Sequence, residues 1–267
     1  MPFKILITND DGVGSSGLLA AYEAVRDLGD VTVVAPATQQ SAVGRSMTLF
    51  EPLRIARQTF GDTLAYSVNG TPTDSVIIGM FVVMDRKPDL VISGINIGEN
   101  LSAEAATTSG TIGAALEASN QGVPSIAVSM RVADEGDKFV DTNRIRDYAA
   151  AQRVIRRLAE RVLTDGMPAG VDVLNVNVPS GATPETPVVA TNLARRMYDT
   201  RVHHRMDPRG RSYYWIDGTV VENASEGTDL HVMMQKGHIS VTPLTLDMTA
   251  KADGSRLDDI LHKAFGK

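Results

Sequence analysis

Phe3-Lys4-Ile5-Leu6-Ile7-Thr8-Asn9-Asp10-Asp11-Gly12 is the stretch on which the fold turns. Six residues of apolar strand run directly into two adjacent carboxylates and a glycine. Open α/β sheets bind their ligands beyond the carboxyl ends of the strands, so an acid pair placed there marks a site. Two neighbouring anions repel each other, and a hard cation bridging them relieves that repulsion. The chain has no cysteine, and none of its five histidines lies near this segment. That donor set suits Mg²⁺ or Mn²⁺ and not zinc.

Working outward, strands and helices alternate through the first 130 residues. Gly17–Leu28 has helical spacing, and Asp30–Ala35 reads as a buried strand stopped by Pro36. Leu53–Arg57 and Leu64–Val68 are β-like, and Thr71-Pro72 opens a helix expected to reach about Met84. Pro88–Ser93 and Pro124–Met130 are strands flanking a helix over Ser109–Gln121. This rhythm implies an α/β fold with a mostly parallel, doubly wound sheet.

Further on, Asn143–Leu163 is expected to be a long amphipathic helix and Asp172–Val178 a return to the sheet. Residues 186–224 lose the rhythm and mix arginines with Tyr198, Tyr213, Tyr214 and Trp215, which suggests a protruding β-hairpin arm. Gly227–Pro243 reads as a short helix and a last core strand, and Leu257–Phe265 as a final helix. The expected organisation is a single catalytic core over 1–185 and 225–250, an arm over 186–224, and an oligomerisation helix over 251–267. Arm and helix together predict a homodimer or homotetramer, because a lone arm cannot bury both faces.

Composition narrows the function. A chain of 267 residues buries roughly three-quarters of its unfolded surface, enough for one large domain with an appendage. A formal charge of −6 argues against a general nucleic-acid binder. The longest apolar run, Val76–Met84, is too short to span a bilayer, so no membrane partner is expected. Met1-Pro2-Phe3-Lys4 enters a strand pattern at once, leaving no room for a signal peptide, and the cytoplasm is the expected compartment.

Gly12-Val13-Gly14-Ser15-Ser16-Gly17 matches the dinucleotide fingerprint and sets up an oxidoreductase alternative through Gly12, Gly14 and Gly17. Asp10 and Asp11 would oppose a pyrophosphate there, and the second strand ends in Pro36 without an acid for a ribose hydroxyl. A tight strand-to-helix turn explains the glycines more simply. A non-catalytic nucleotide-binding module is the other alternative.

Two polar loops follow further strands. One spans Ala35 to Ser46 and carries Ser41; the other is Ser93-Gly94-Ile95-Asn96-Ile97-Gly98-Glu99-Asn100. Parallel strands point one way, so both loops should open beside Asp10, with Ser41 and Asn96 as neutral oxygen ligands. Thr107-Thr108-Ser109-Gly110-Thr111 then opens a helix whose free N–H groups favour a phosphate. Metal and helix N-terminus together describe a phosphate-ester hydrolase.

These segments, with Gly70-Thr71-Pro72, Asp74, Tyr213-Tyr214-Trp215-Ile216 and Ile239-Ser240-Val241-Thr242-Pro243-Leu244, resemble the SurE family of survival-protein nucleotidases. The resemblance implies a Rossmann-like three-layer core and one divalent cation per subunit. It also implies hydrolysis of nucleoside 5′-monophosphates, with 3′-monophosphates and short polyphosphate as further candidates. On the matching motifs, Asp10, Asp11, Ser41 and Asn96 hold the metal, and Asp10, Asp11 and Asn9 serve catalysis. Ser109, Gly110, Thr111 and Asn100 bind phosphate. Departures occur at Ala42, where glycine is usual, at Thr108, where tyrosine is frequent, and at Thr73 and Ser75. None removes a proposed ligand; Thr108 bears on substrate preference.

Overall fold

A computed structural model describes residues 2–133, 144, 146–250 and 254–266. Its centre is a nine-stranded sheet. In chain order the strands are β1 (Phe3–Thr8), β2 (Gly29–Pro36), β3 (Ile55–Phe60), β4 (Thr63–Val68), β5 (Leu90–Ile97), β6 (Ser125–Met130), β7 (Val173–Val178), β8 (Val188–Ala190) and, after two strands of a separate hairpin, β11 (Ile239–Leu244). They lie in the order β3-β4-β2-β1-β5-β6-β7-β11-β8. The six strands from β4 to β7 run parallel, while β3 and β11 are antiparallel to their neighbours β4 and β7. The chain starts in the middle, builds outward through β2 and β4, then returns to the far side of β1 with β5. The switch point therefore falls between β1 and β5, where crossovers diverge and leave a crevice.

Helices cover both faces. α1 (Ser16–Val25) packs beside α5 (Ala149–Asp165), and α2 (Pro72–Ile78) beside α4 (Gly110–Asn120). Successive side chains of β1 alternate between these layers: Ile5 and Ile7 join the larger cluster with Leu18, Val25 and Ile155, and Leu6 joins Val76, Met80 and Ala114. All three are fully buried, and each such aliphatic side chain contributes about 1.5–3 kcal/mol. Burial on both faces is why β1 reads as a continuous apolar run.

Several elements differ from expectation. The helix after Thr71 ends at Ile78 and continues as a π-helical turn, Gly79–Val83. β5 extends four residues past Ser93, because the pairing with β6 shifts register between Ser93 and Asn96. Asn96 therefore sits on a bulged strand, not in a loop. A short helix α3 (Ser102–Thr108), not expected from the sequence, fills the stretch between Asn100 and the helix that Ser109 caps. The long helix starts at Ala149, and Asn143 lies outside the described residues. Within 186–224, β8 pairs with β11 in the main sheet, so the hairpin itself is β9 (Tyr198–Met206) and β10 (Ser212–Val220). The last helix, α6, spans Gly254–Phe265; positions 251–253 and 267 of the expected helix are outside the described residues. Among the described residues no helix is long and apolar enough to cross a membrane.

Candidate active site

The acid pair leaves β1 at the switch point, and each carboxylate is held by a different element. Thr111, in the first turn of α4, donates its hydroxyl to Asp10 Oδ1 at 2.6 Å, and its backbone N–H also reaches that carboxylate. The helix N-terminus thus already faces an anion, the side chain of Asp10. Ile97 N–H donates to Asp11 Oδ2 at 2.8 Å, and Gln39 Nε2 approaches Oδ1 at 3.4 Å. Both acids are more than nine-tenths buried. Burial pushes the Asp10 carboxyl above the usual range, against the pull of Thr111. Burial and then the Asp10 charge push Asp11 up, while the Ile97 N–H, Gln39 and Arg146 pull the other way.

Gly110 permits this arrangement. A Cβ at that position would lie 3.0 Å from Asp10 Cβ and 3.1 Å from its Oδ2. A side chain there would press on Asp10 and shift it by a few tenths of an ångström, so glycine lets α4 start close to the carboxylate undisturbed.

The loop between β2 and β3 brings Ser41. Gln40 N–H donates to the Asp10 carbonyl at 2.7 Å, and Gly44 N–H to the Thr108 carbonyl at 2.8 Å. Arg45 then donates from Nε and Nη2 to Glu117 Oε2 at 2.9 and 2.7 Å, with Glu117 only 2% exposed. The Ser41 loop is thereby fastened to the helix that holds Asp10. On the other side, Asn96 commits its amide N–H to Gly98 O at 2.6 Å, so its carbonyl oxygen is what it can offer a cation.

Asp10, Gln39, Ser41, Asn96, Asn100 and Ser109 meet at one cavity of about 200 Å³. Asp11 is not among its lining residues but is bonded to two of them, Ile97 and Gln39. The Ser109 Oγ caps α4 by accepting from Ile112 N–H, and its own proton remains to donate into the cavity. Gly110 and Thr111 are buried behind Ser109. Asn9 is fully buried; its amide donates to Gly12 O and Ser15 Oγ and holds the turn after β1. Asn100 Nδ2 donates to Ser129 Oγ at 2.7 Å and Thr111 Oγ1 at 3.3 Å. Because Thr111 accepts from Asn100, its one hydroxyl proton is directed to Asp10.

Sequence reasoning missed Arg45, Glu117, Asn175 and Asn177. The last two clamp Asn100 O with their amides at 2.9 and 3.1 Å, and Asn177 Oδ1 accepts from Asn100 N–H at 2.7 Å. Two asparagines in an otherwise apolar strand, and one acid among the alanines of α4, were the available signals.

Among the described residues no three His, Cys, Asp or Glu side chains converge, so a cation here would need neutral oxygens to complete its shell. Two buried carboxylates, an amide carbonyl and a hydroxyl form an all-oxygen set that fits a hard divalent ion.

The fingerprint glycines have other duties. A Cβ on Gly17 would lie 2.0 Å from Ile95 O, so that glycine lets α1 lie against β5. The turn it follows is filled by Asn9.

A doubly wound sheet with buried carboxylates and a polar cavity at its switch point, beside the start of a helix, defines a Rossmann-like α/β protein. The comparisons are specific. The profile described as Survival protein SurE matches residues 5–200, and the chain belongs to that family. It is 72% identical over 263 residues to a protein of Methanocella arvoryzae named 5'-nucleotidase SurE, covering 98% of this chain and 99% of the relative. A protein of the same name from Archaeoglobus fulgidus is 54% identical, with 94% of each chain covered. The crystal structure of the SurE protein from Aquifex aeolicus superposes with a TM-score of 0.78 at 36% identity, over 98% of this chain and 99% of that one.

Proposed function

We propose that this chain is a 5′-nucleotidase that uses one Mg²⁺ or Mn²⁺ per subunit to release phosphate from nucleoside monophosphates. The observation that carries the reading is the cavity at the switch point, lined by Asp10, Ser41, Asn96 and Ser109, with Asp11 bonded to Ile97 of the same lining. Names and extents of the relatives support the same activity.

Asp10, Asp11, Ser41 and Asn96 would hold the cation, which when bound supplies polarisation of a phosphoryl oxygen and relief of the carboxylate repulsion. Uncatalysed monoester hydrolysis is slow enough to need up to ~10²¹-fold acceleration, so charge stabilisation must supply much of the effect. Ser109 donates its hydroxyl proton to a phosphoryl oxygen. Thr111, itself held by Asn100, occupies Asp10 Oδ1 and so fixes the orientation of that carboxylate. Burial of Asp10, Asp11, Asn96 and Ser109 strengthens the interactions they make.

The hairpin and α6 complete the reading. Trp215 and Ile216 are 61% and 80% exposed, and no residue of α6 is buried although Leu257, Ile260, Leu261 and Phe265 share it. A two-stranded hairpin alone is marginal in water. These surfaces suit a homodimer or homotetramer.

The test is a phosphate-release screen over nucleoside 5′- and 3′-monophosphates and short polyphosphate, with Mg²⁺, Mn²⁺ or EDTA. Release from 5′-monophosphates that EDTA abolishes supports the proposal. Nucleotide binding without release favours the non-catalytic module.

A further inference from the structure

The catalytic cavity has a neighbour. Glu99, Asn100 and Thr108 line it and also line a second cavity of about 160 Å³, which Leu101, Glu104, Met197 and Tyr198 close. Sharing these three residues, the two cavities adjoin, and only together do they reach the lower end of the size that small-ligand sites take.

Their chemistry differs. The first offers carboxylates, an amide carbonyl and a hydroxyl donor. The second offers the hydrocarbon of Leu101, the thioether of Met197 and the phenol ring of Tyr198. Its charged lining residues are Glu99 and Glu104, with no lysine, arginine or histidine. Beside carboxylates a phosphate needs a cation, and only the first cavity has the oxygen set proposed to hold one, so the second suits the uncharged end of a phosphate ester. A flat ring flanked by sulfur and an aromatic face is favoured there. A carboxylate at the rim accepts N–H or O–H donors of that ring and its sugar.

The chamber is also pre-formed. Leu101 and Met197 are almost fully buried in an apolar cluster with Ala194, Leu230 and Met233. Asp229, itself fully buried, ties the two walls: Oδ2 accepts from Ser102 N–H at 2.7 Å, beside Leu101. Oδ1 accepts from Ala194 N–H at 2.8 Å, on the segment leading to Met197. A site that needs no ordering keeps more of its contact energy as affinity.

We infer that this second chamber seats the nucleoside, with the base against Tyr198 and Met197 and Glu104 accepting from its donors. The inference rests on the nucleotidase reading and assigns the foot of the arm, where β9 begins, a part in substrate recognition.

The experiment compares kcat/KM for AMP with that for ribose 5-phosphate, the same phosphate and sugar without the base. In Tyr198→Ala the AMP-over-ribose 5-phosphate ratio should fall about tenfold through the KM of AMP, the scale of one lost base–aromatic stack. Tyr198→Phe should restore it. A ratio equal to wild type in Tyr198→Ala overturns the inference. Equilibrium dialysis of adenosine gives a second readout: wild type retains it and Tyr198→Ala does not, whereas equal retention, or none by either, is contrary. Absence of phosphate release from every nucleotide would refute the nucleotidase reading alone, because dialysis still decides whether the seat exists.

Discussion

Thr111→Val probes the device that holds Asp10. The substitution keeps the shape and removes one hydroxyl from a fully buried position. What is lost is the bond to Asp10 Oδ1 at 2.6 Å, an O–H donor on a buried carboxylate. Hydrogen bonds to charged groups are worth about 1.5–3 kcal/mol, and about 1.4 kcal/mol is tenfold in rate. If the bond serves the transition state in full, kcat/KM falls about tenfold to a hundredfold. The sign of the pH effect follows from the same bond. The hydroxyl favours ionised Asp10 and opposes the rise caused by burial. Without it the carboxyl binds its proton more tightly, so the acid limb of the pH–rate profile moves to higher pH and the loss is largest at low pH. Thr111→Ser keeps the donor and should stay near wild type. Phosphate release measured across pH, with thermal melts to confirm folding, decides. A Thr111→Val enzyme within twofold of wild type at every pH would refute the reasoning.

Other consequences are as direct. Arg45→Ala leaves the buried Glu117 carboxylate without its guanidinium; breaking a buried pair costs about 3–5 kcal/mol, less here because Arg45 is about one-third exposed, and both Tm and activity should fall. Glu117→Gln, which stays uncharged, should recover much of the Tm. Gly110→Ala pushes a methyl against Asp10, so activity should drop much further than stability, and a fully active variant would contradict the close approach. Removing residues 254–267, or Trp215→Ala, should lower the assembly state in light scattering; variants that remain fully oligomeric would sink the assembly reading.

Much of this was legible in the chain because β1 is buried on both faces and ends abruptly in polar residues. Asp10 and Asp11 stand where such a strand must deliver them. Asn96 lines the same cavity as Asp10, on a bulged strand and not the expected loop; Gly94, within the apolar run, was the available sign of that bulge. α3 was missed for a different reason: Ser102 enters it at φ 72°, stabilised by Asp229 from 127 residues away, and local propensity carries no trace of that contact. The Arg45–Glu117 bridge and the Asn175–Asn177 clamp are likewise long-range. Their residues are ordinary in sequence and acquire meaning only when the sheet brings β7, α4 and the Ser41 loop together. The fingerprint glycines carried the opposite lesson, since a phosphate-binding pattern served helix packing.

The most direct measurement is Mn²⁺ binding by calorimetry beside phosphate release from a 5′-monophosphate, for wild type, Asp10→Asn and Asp11→Asn. Wild type should bind one cation per subunit, and each variant should lose that binding with turnover falling at least ~10²-fold. Full turnover by either variant, or by wild type stripped with EDTA, would contradict a cation held by Asp10 and Asp11.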